Sequence, residues 1–148
     1  MISVIQRCKQ AKVDVGGNTI GEIGVGFVVL LGIQKNDSVS DADYIVKKLS
    51  TLRIFNDSNE KMNLSIKDIK GSALIISQFT LCGDTRKGRR PSFINAESPE
   101  KGKALYNYLL SRFKEEGVSI QTGEFGAMMD VSLINNGPVT LILNSHDR

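Results

Sequence analysis

The sequence predicts an α+β protein in which a mixed or antiparallel β-sheet curls toward a barrel and two main helices pack on it. About seven or eight short apolar segments follow one another mostly without helices between them, whereas doubly wound parallel sheets alternate strands with helices. Two segments have the apolar spacing of an amphipathic helix. The length of 148 residues, without repeats or linkers, predicts one domain comprising residues 1–148.

The first third of the chain predicts strands. Residues 2–8 alternate as a strand, and residues 11–15 continue the alternation with shifted parity, which predicts a bulge near residues 9–10. Residues 16–18 (GGN) predict a turn. The continuous apolar run at residues 24–33 (GVGFVVLLGI) predicts a central strand covered on both faces.

The next segment predicts the first helix. Ser40 followed by Asp43 is typical of a capping box, and apolar residues then fall on one helical face. A strand at residues 52–55 and a turn at residues 56–61 follow. The predicted apolar face consists of Ala42, Ile45, Val46, Leu49 and Leu52.

The second half predicts a buried strand, a helix and three further strands. Residues 73–81 (ALIISQFTL) form the buried strand, and Ser98, Pro99 and Glu100 are typical of an N-cap, a first helical position and an acidic first turn. Gly117 ends the helix, whose predicted apolar stripe is Ala104, Leu105, Tyr108, Leu109 and Phe113. The last strands are predicted at residues 118–122, 127–134 and 139–143.

The junction of the last two strands, NNGP at residues 135–138, is unusual. Asn-Gly between apolar runs is a strong hairpin signal. Pro138, however, removes a backbone donor where the second strand should start pairing, and proline is the residue that makes a cis peptide bond accessible. We therefore expect Gly137 and Pro138 to serve a purpose other than turning the chain.

Composition excludes several classes of protein. No apolar run approaches the ~20 residues of a membrane span, and the polar residues in MISVIQRCKQ argue against a signal peptide, so we expect a cytoplasmic protein. Cys8 and Cys82 lack CxxC spacing and predict neither a zinc site nor a disulfide. His146, third from the end, predicts no Ser-His-Asp or Cys-His catalysis because its segment is expected to fray. We expect no metal and no cofactor.

The segment at residues 84–91 concentrates positive charge in a Gly/Pro loop, although the formal net charge of the chain is only +3. Such a loop can follow a phosphate backbone, or it can simply be solvated. The composition leaves both interpretations open. The cations are Arg86, Lys87, Arg89 and Arg90.

Polar side chains interrupt the apolar strand predicted at residues 73–81. On a strand, Ser77 and Phe79 would point to one face, and Gln78 and Thr80 to the other. Ser77 and Thr80 could be core hydroxyls bonded to backbone. A buried Gln78 must bond both ends of its amide or lose about 1–3 kcal/mol per group, which favours a site.

SQFTL at residues 77–81 and NGPVT at residues 136–140, in a chain beginning MISVIQR, resemble the D-aminoacyl-tRNA deacylase family, also named D-tyrosyl-tRNA deacylase. The similarity runs from Met1 to about Leu143. Further matching segments lie at residues 53–55, 61–64, 90–93 and 121–123.

This resemblance implies a homodimer with active sites at the subunit interface. Gly137 and Pro138 would form the family's Gly-cisPro motif, inserted beside Ser77, Gln78, Phe79 and Thr80 of the other subunit. The implied reaction frees a D-amino acid from the 3′ end of mischarged tRNA, so aminoacyl-tRNA is the expected partner. Main-chain carbonyls of the motif would collide with an L side chain but not with the hydrogen of a D-enantiomer. Such a gate cannot refuse glycyl-tRNA.

The remaining roles follow from chemistry and resemblance together. Thr80 is the candidate nucleophile, but neither motif supplies a base. The ribose 2′-hydroxyl of the RNA is therefore expected to assist, while Gln78 and the Phe79 main chain position the substrate.

Arg7 either braces the Gly-cisPro carbonyl or is a solvated edge cation. Met129 and Phe125 either line the adenosine pocket or belong to the core. In this family context the basic loop is expected to contact acceptor-stem phosphates.

Two other functions compete with this interpretation. One is a nucleic-acid-binding protein of the same fold without hydrolysis, as for animal relatives linked to replication origins. Those relatives carry extra C-terminal sequence, whereas this sequence stops at Arg148. The other is an editor of achiral or L-substrates with altered motifs, which the intact residues 78–80 and 137–140 argue against.

Overall fold

The computed structural model describes residues 1–148 and contains eight strands, two α-helices and two short 3₁₀ turns, at Phe79–Cys82 and Ser145–Asp147. The helices are α1 (Val39–Thr51) and α2 (Pro99–Glu115). The strands are β1 (Ile2–Val15), β2 (Asn18–Ile23), β3 (Gly26–Gly32), β4 (Phe55–Asn56), β5 (Met62–Leu64), β6 (Ser72–Ser77), β7 (Ser119–Thr122) and β8 (Asp130–Asn144).

Six strands form one mixed sheet in the order β2-β1-β3-β6-β7, with β8 on the other edge of β1. β1 is antiparallel to β2, β3 and β8, while β3, β6 and β7 run parallel to one another. The sheet curls until β2 approaches β7, since a Cβ added at Gly21 would lie 2.8 Å from the carbonyl oxygen of Thr122. The predicted α+β class, with a nearly closed mixed sheet, is confirmed.

The sheet separates two apolar cores. The outer face of β3 and β6 is covered by the helices, with Phe27, Val29 and Ile75 against α1 and α2. The second core lies on the inner face of the curled sheet and includes Val28 and Leu74, which alternate along β3 and β6 with the residues that face the helices. Burial on both faces explains why β3 and β6 read as continuous apolar runs.

α1 begins two residues earlier than predicted. Its N-cap is Ser38, whose main-chain N–H and hydroxyl donate to the Asp41 carboxylate at 2.9 and 2.8 Å. The capping box is therefore formed by Ser38 and Asp41, and the predicted capping box of Ser40 and Asp43 is wrong. Four predicted core residues, Ala42, Ile45, Val46 and Leu49, are buried, whereas Leu52 is half-buried and caps the helix.

α2 has the predicted boundaries. Ser98 is the N-cap, Pro99 opens the helix, and Gly117 follows its end with φ +77°. The predicted apolar stripe of α2 is wrong at one position, because Ala104 is exposed and Tyr106 is buried instead. Burial of this tyrosine is possible because its hydroxyl donates to the Ile75 carbonyl at 2.7 Å.

Strand pairing confirms one prediction and adds elements that sequence analysis missed. β1 is continuous, and its register with β8 shifts between Cys8 and Ala11, which is the predicted bulge. β2 and β5 were not predicted. β2 follows a two-residue turn in which Gly16 and Gly17 both have positive φ, and β5 pairs with β4, which begins at Phe55 rather than at residue 52.

The predicted separate strands at residues 127–134 and 139–143 are wrong, because β8 is one strand whose two halves both pair with β1. Asn135 pairs with Cys8 and Thr140 with Gln6, so residues 136–139 lie opposite Arg7 alone. The extra residues loop out of the strand without reversing the chain. Pro138 fits this position because a looped-out residue needs no ladder donor.

Candidate active site

The polar motif after β6 adopts a 3₁₀ turn, not the predicted strand to residue 81. Ser77 is the last residue of β6 paired with β3, opposite Leu31, and the chain then turns, with the Leu81 N–H donating to the Gln78 carbonyl at 3.2 Å. Strand alternation therefore does not apply. The expected buried pair is also wrong, since Gln78 is half-buried and Thr80 is exposed.

Within this turn, Gln78 Nε2 donates a hydrogen bond to Thr80 Oγ1. Gln78 is the hydrogen-bond partner that the chain provides for this hydroxyl; no histidine or carboxylate contacts it. Phe79 and Thr80 open the turn, so their main-chain N–H groups have no acceptor within it. The turn thus offers donors at an exposed surface but no general base.

An aromatic pair connects the turn to the basic loop. Phe79 is 59% exposed, and its ring centroid lies 5.1 Å from that of Phe93 in an edge-to-face arrangement. Main-chain hydrogen bonds of 2.8 and 2.9 Å between Asp84 and Ser92 close the loop just before Phe93. The loop cations therefore begin next to the turn.

The four loop cations are not equivalent. Arg86 makes two hydrogen bonds with the Asp84 carboxylate, at 2.9 and 2.6 Å, and this guanidinium lowers the pKa of Asp84 to about 2. Lys87, Arg89 and Arg90 are exposed and form no ion pair. The positive charge available to a ligand therefore comes from these three residues.

Gly137 and Pro138 form the exposed tip of the β8 loop and are joined by a cis peptide bond. Gly137 has φ +127°, and a Cβ added there would lie 2.8 Å from Val139 Cγ2 and 3.0 Å from Arg7 Nη2. A residue with an L side chain does not fit this position. The tip presents mainly backbone.

Arg7 lies beneath this loop and is only 8% exposed, so it is not a solvated edge cation. Its Nε donates to the Asn136 carbonyl at 3.1 Å. Its Nη1 donates to the Ile54 carbonyl at 2.6 Å and to Asn56 Oδ1 at 3.2 Å. The bracing contact is therefore made one residue before Gly137, and it connects the loop to β4.

The two motif regions lie apart in one chain. β8 and β6 are separated by β1 and β3, which is roughly 14 Å of sheet at ~4.8 Å per strand spacing. Ser77 pairs with Leu31 of β3, and Leu31 pairs in turn with Ser3 of β1. Ser3 lies four residues before Arg7 on the same strand. The structure thus groups Ser77 to Thr80, and separately Arg7 with Gly137 and Pro138.

Met129 and Phe125 occupy different surroundings. Phe125 is partly buried on the helix-side core, with its ring centroid 5.7 Å from that of Tyr106. Met129 is partly buried against the inner core, and its sulfur lies over Gly123 beside Ile76. Phe125 is therefore a packing residue, whereas Met129 lies near the end of β6 that leads to Ser77.

A polar cluster at the chain ends, in which Asp37 and the Met1 ammonium are buried and His146 is exposed, was not predicted. The Met1 ammonium lies 2.6 Å from Asp37 Oδ1, and His146 Nε2 lies 2.8 Å from the same oxygen. The Ser145 N–H donates to the Met1 carbonyl at 2.9 Å, so the expected fraying of this tail is wrong. Asp37, Asp41 and His146 have the donor atoms of a metal site, but the ammonium already faces Asp37.

The thiols offer no nucleophile at the site. Cys8 and Cys82 are buried and unpaired. Burial raises the pKa of Cys8 to about 11, and burial also raises the pKa of Cys82. Both thiols therefore stay protonated near neutral pH.

Two asparagines that contact the site were not among the predicted site residues. Asn56 accepts a hydrogen bond from Arg7, and Asn135 bonds both Val139 and Thr140. Asn135 directly precedes the NGPVT motif, and this adjacency was the available sequence signal. No helix of the protein has the length and apolar character needed to cross a membrane.

Comparison with known proteins agrees with the two motifs. The family model described as D-Tyr-tRNA(Tyr) deacylase matches residues 4–144. A D-aminoacyl-tRNA deacylase from Thermosipho melanesiensis is 56% identical over 146 residues, covering 98% of this chain and 97% of that protein. One from Thermus aquaticus is 53% identical over 148 residues, covering 100% and 97%.

Solved structures share the fold. A c-Myc DNA unwinding element binding protein superposes with a TM-score of 0.91 at 38% identity, covering 97% of this chain and 98% of that one. A probable eukaryotic D-amino acid tRNA deacylase superposes with a TM-score of 0.80 at 18% identity, covering 96% and 97%. With the family model matching nearly the whole length, the chain belongs to the D-Tyr-tRNA(Tyr) deacylase family.

Proposed function

We infer that this protein is a D-aminoacyl-tRNA deacylase, a carboxylic ester hydrolase that releases a D-amino acid and free tRNA. The observation that carries this conclusion is the family match over residues 4–144, with relatives of that name more than half identical over nearly the full chain. An aminoacyl-tRNA substrate also implies a cytoplasmic enzyme. Hydrolysis of matched D- and L-tyrosyl-tRNA tests the proposal.

The active form proposed here is a homodimer in which each site combines the Ser77 to Thr80 turn of one subunit with the Gly137–Pro138 loop of the other. The separation of these two regions in one chain supports this arrangement. β8 also has a free edge along 15 residues, and Ile142 is 72% exposed on it. A long apolar edge strand in a stable protein needs a cover, and a second copy provides one.

The gate proposed for chirality is the main chain of the loop tip. Gly137 has no side chain, and the loop is held from below by Arg7, so its backbone can exclude groups on one side of the substrate α-carbon. An L-amino acid would place its side chain against the loop, whereas a D-amino acid places hydrogen there. Glycine places hydrogen on both sides, so glycyl-tRNA is also a substrate.

The proposed chemical step uses the RNA as well as the protein. Water adds to the ester carbonyl, the bond to the 3′-oxygen breaks, and that oxygen leaves with a proton. The neighbouring 2′-hydroxyl assists this proton transfer, since Thr80 has no base beside it. The N–H groups of Phe79 and Thr80 are suited to stabilise the oxyanion, and Gln78 orients Thr80.

The RNA is proposed to lie along the turn and the basic loop. Ser77, Phe79 and Met129 contact the terminal aminoacyl-adenosine. The loop cations bind acceptor-stem phosphates; Lys87, Arg89 and Arg90 contribute most because Asp84 already neutralises Arg86. The edge-to-face pair of Phe79 and Phe93 connects these two parts of the surface.

The alternative function is nucleic-acid binding without hydrolysis. It is favoured by the likeness to a protein described as binding a DNA unwinding element. The tyrosyl-tRNA experiment separates the two functions. Binding of tRNA without hydrolysis of either enantiomer would favour the alternative, whereas hydrolysis of the D-enantiomer favours the deacylase.

A further inference from the structure

The Asn135 side chain spans the neck of the loop that carries Gly137 and Pro138. Its Oδ1 accepts a hydrogen bond from the Val139 N–H at 3.1 Å. Its Nδ2 donates to Thr140 Oγ1 at 2.9 Å. One side chain on the incoming limb of the loop therefore holds the two residues with which the chain re-enters β8.

This contact replaces bonds that the sheet cannot make here. Residues 136–139 have no partner in β1, and Pro138 has no N–H to donate. Arg7 holds the incoming limb at the Asn136 carbonyl. Asn135 holds the outgoing limb at Val139, so the tip is fixed from both sides.

We propose that Asn135 is a positioning residue that sets the placement of the Gly137–Pro138 gate and thereby the discrimination between D- and L-substrates. This inference rests on the function proposed above. Asn135 itself does not touch the substrate; it acts through the backbone of Val139. An exclusion gate works only at a fixed distance from the substrate, and a misplacement of about 1 Å can change rates by about 10²-fold.

Three substitutions separate the two bonds. Asn135→Leu has nearly the same size and removes both. Asn135→Asp keeps an acceptor for the Val139 N–H, and it can accept from the Thr140 hydroxyl. Thr140→Val removes the partner of Nδ2 and leaves the bond to the Val139 N–H, although it also removes the acceptor of a longer bond from Gln6 Nε2 at 3.4 Å. Asn107→Leu, an exposed asparagine on α2 without a side-chain hydrogen bond, is the matched control.

The measurement is kcat/KM for D- and L-tyrosyl-tRNA, with thermal unfolding and dimer content determined for each variant. We expect Asn135→Leu to lower the D/L ratio by about tenfold or more, while Asn135→Asp, Thr140→Val and Asn107→Leu stay within about threefold of wild type. A wild-type D/L ratio in folded Asn135→Leu would overturn the proposal. A wild-type enzyme without D-preference would instead overturn the proposed function.

Amide hydrogen exchange of the Val139 N–H in the wild-type protein gives a readout that does not depend on the variants folding. Slow exchange at Val139 in the wild type, together with faster exchange in Asn135→Leu, supports the hydrogen bond from Val139 to Asn135. If Asn135→Leu unfolds, Asn135→Ser takes its place in this comparison. Exchange at Val139 as fast as in a free peptide would show that Asn135 does not hold the outgoing limb.

Discussion

The Nε of Arg7 donates a hydrogen bond to the carbonyl oxygen of Asn136 at 3.1 Å, where the register of β1 with β8 shifts between Gln6 and Cys8. The same guanidinium bonds the Ile54 carbonyl and Asn56, and no carboxylate contacts it. Its planar fork thus serves as a fixed spacer between β4 and the looped-out residues. The placement of the loop depends on this geometry and not on charge alone.

Arg7→Lys is therefore expected to impair the enzyme although it preserves the positive charge. A lysine ammonium lacks the fork that reaches three acceptors, so the loop loses its brace. We expect kcat/KM for D-tyrosyl-tRNA to fall by about tenfold or more. The control is Arg53→Lys, because Arg53 is exposed and bonds only Asn63. Wild-type kinetics for Arg7→Lys would show that the brace is dispensable.

Thr80→Ala should retain activity within about tenfold of wild type, because the hydroxyl has a glutamine partner and no base. A D-aminoacyl-tRNA ending in 2′-deoxyadenosine should instead lose about 10²–10⁴ in rate, the usual contribution of a positioned proton-transfer group. Single-turnover hydrolysis measures both. An inactive Thr80→Ala together with an active deoxy substrate would assign the nucleophile to Thr80.

Arg89→Glu combined with Arg90→Glu should weaken tRNA binding and flatten its dependence on salt. Each lost phosphate contact should lower the slope of log affinity against log salt by about 1. Lys101→Glu with Lys103→Glu, on the exposed face of α2, applies the same charge change elsewhere. If both double variants show the wild-type slope, the basic loop does not contact phosphates.

Mixed dimers test whether the site is shared between subunits. Gly137→Val should distort the loop and place a side chain in the space of the substrate, because a Cβ at Gly137 has no room, and Thr80→Trp should block the exposed turn. Each variant alone should be inactive. Co-refolding both should restore about a quarter of wild-type activity, because half the dimers are mixed and each mixed dimer has one intact site. No recovery in dimers shown to be mixed would place both motifs of a site in one subunit.

The parts of the fold that local interactions decide were predictable. The helix start at Ser98, its end at Gly117 and the bulge in β1 all follow from short-range patterns. The start of α1 was not predictable, because the pair Ser38 and Asp41 has the same spacing as the pair Ser40 and Asp43. The tertiary structure separates the two pairs, because the Asp43 carboxylate accepts hydrogen bonds from Tyr108 and Arg112 of α2, whereas the Asp41 carboxylate accepts from Ser38.

The candidate site was predictable in its residues but not in its geometry. The motifs identified Gln78, Thr80, Gly137 and Pro138, yet the path of β8 depends on pairing with the far end of the chain. Local turn preferences suggested a hairpin there, and pairing with β1 overrode them. The burial of Arg7 was likewise undetermined, because its acceptors lie about 50 and 130 residues away in sequence.

The most direct test of the proposed function is the hydrolysis of D-tyrosyl-, L-tyrosyl- and glycyl-tRNA at one enzyme concentration, corrected for spontaneous hydrolysis. We predict rapid hydrolysis of D-tyrosyl-tRNA, measurable hydrolysis of glycyl-tRNA and far slower hydrolysis of L-tyrosyl-tRNA. Inert glycyl-tRNA beside an active D-substrate would contradict selection by exclusion. Equal rates for the two tyrosyl enantiomers, or no hydrolysis of either, would contradict the central claim.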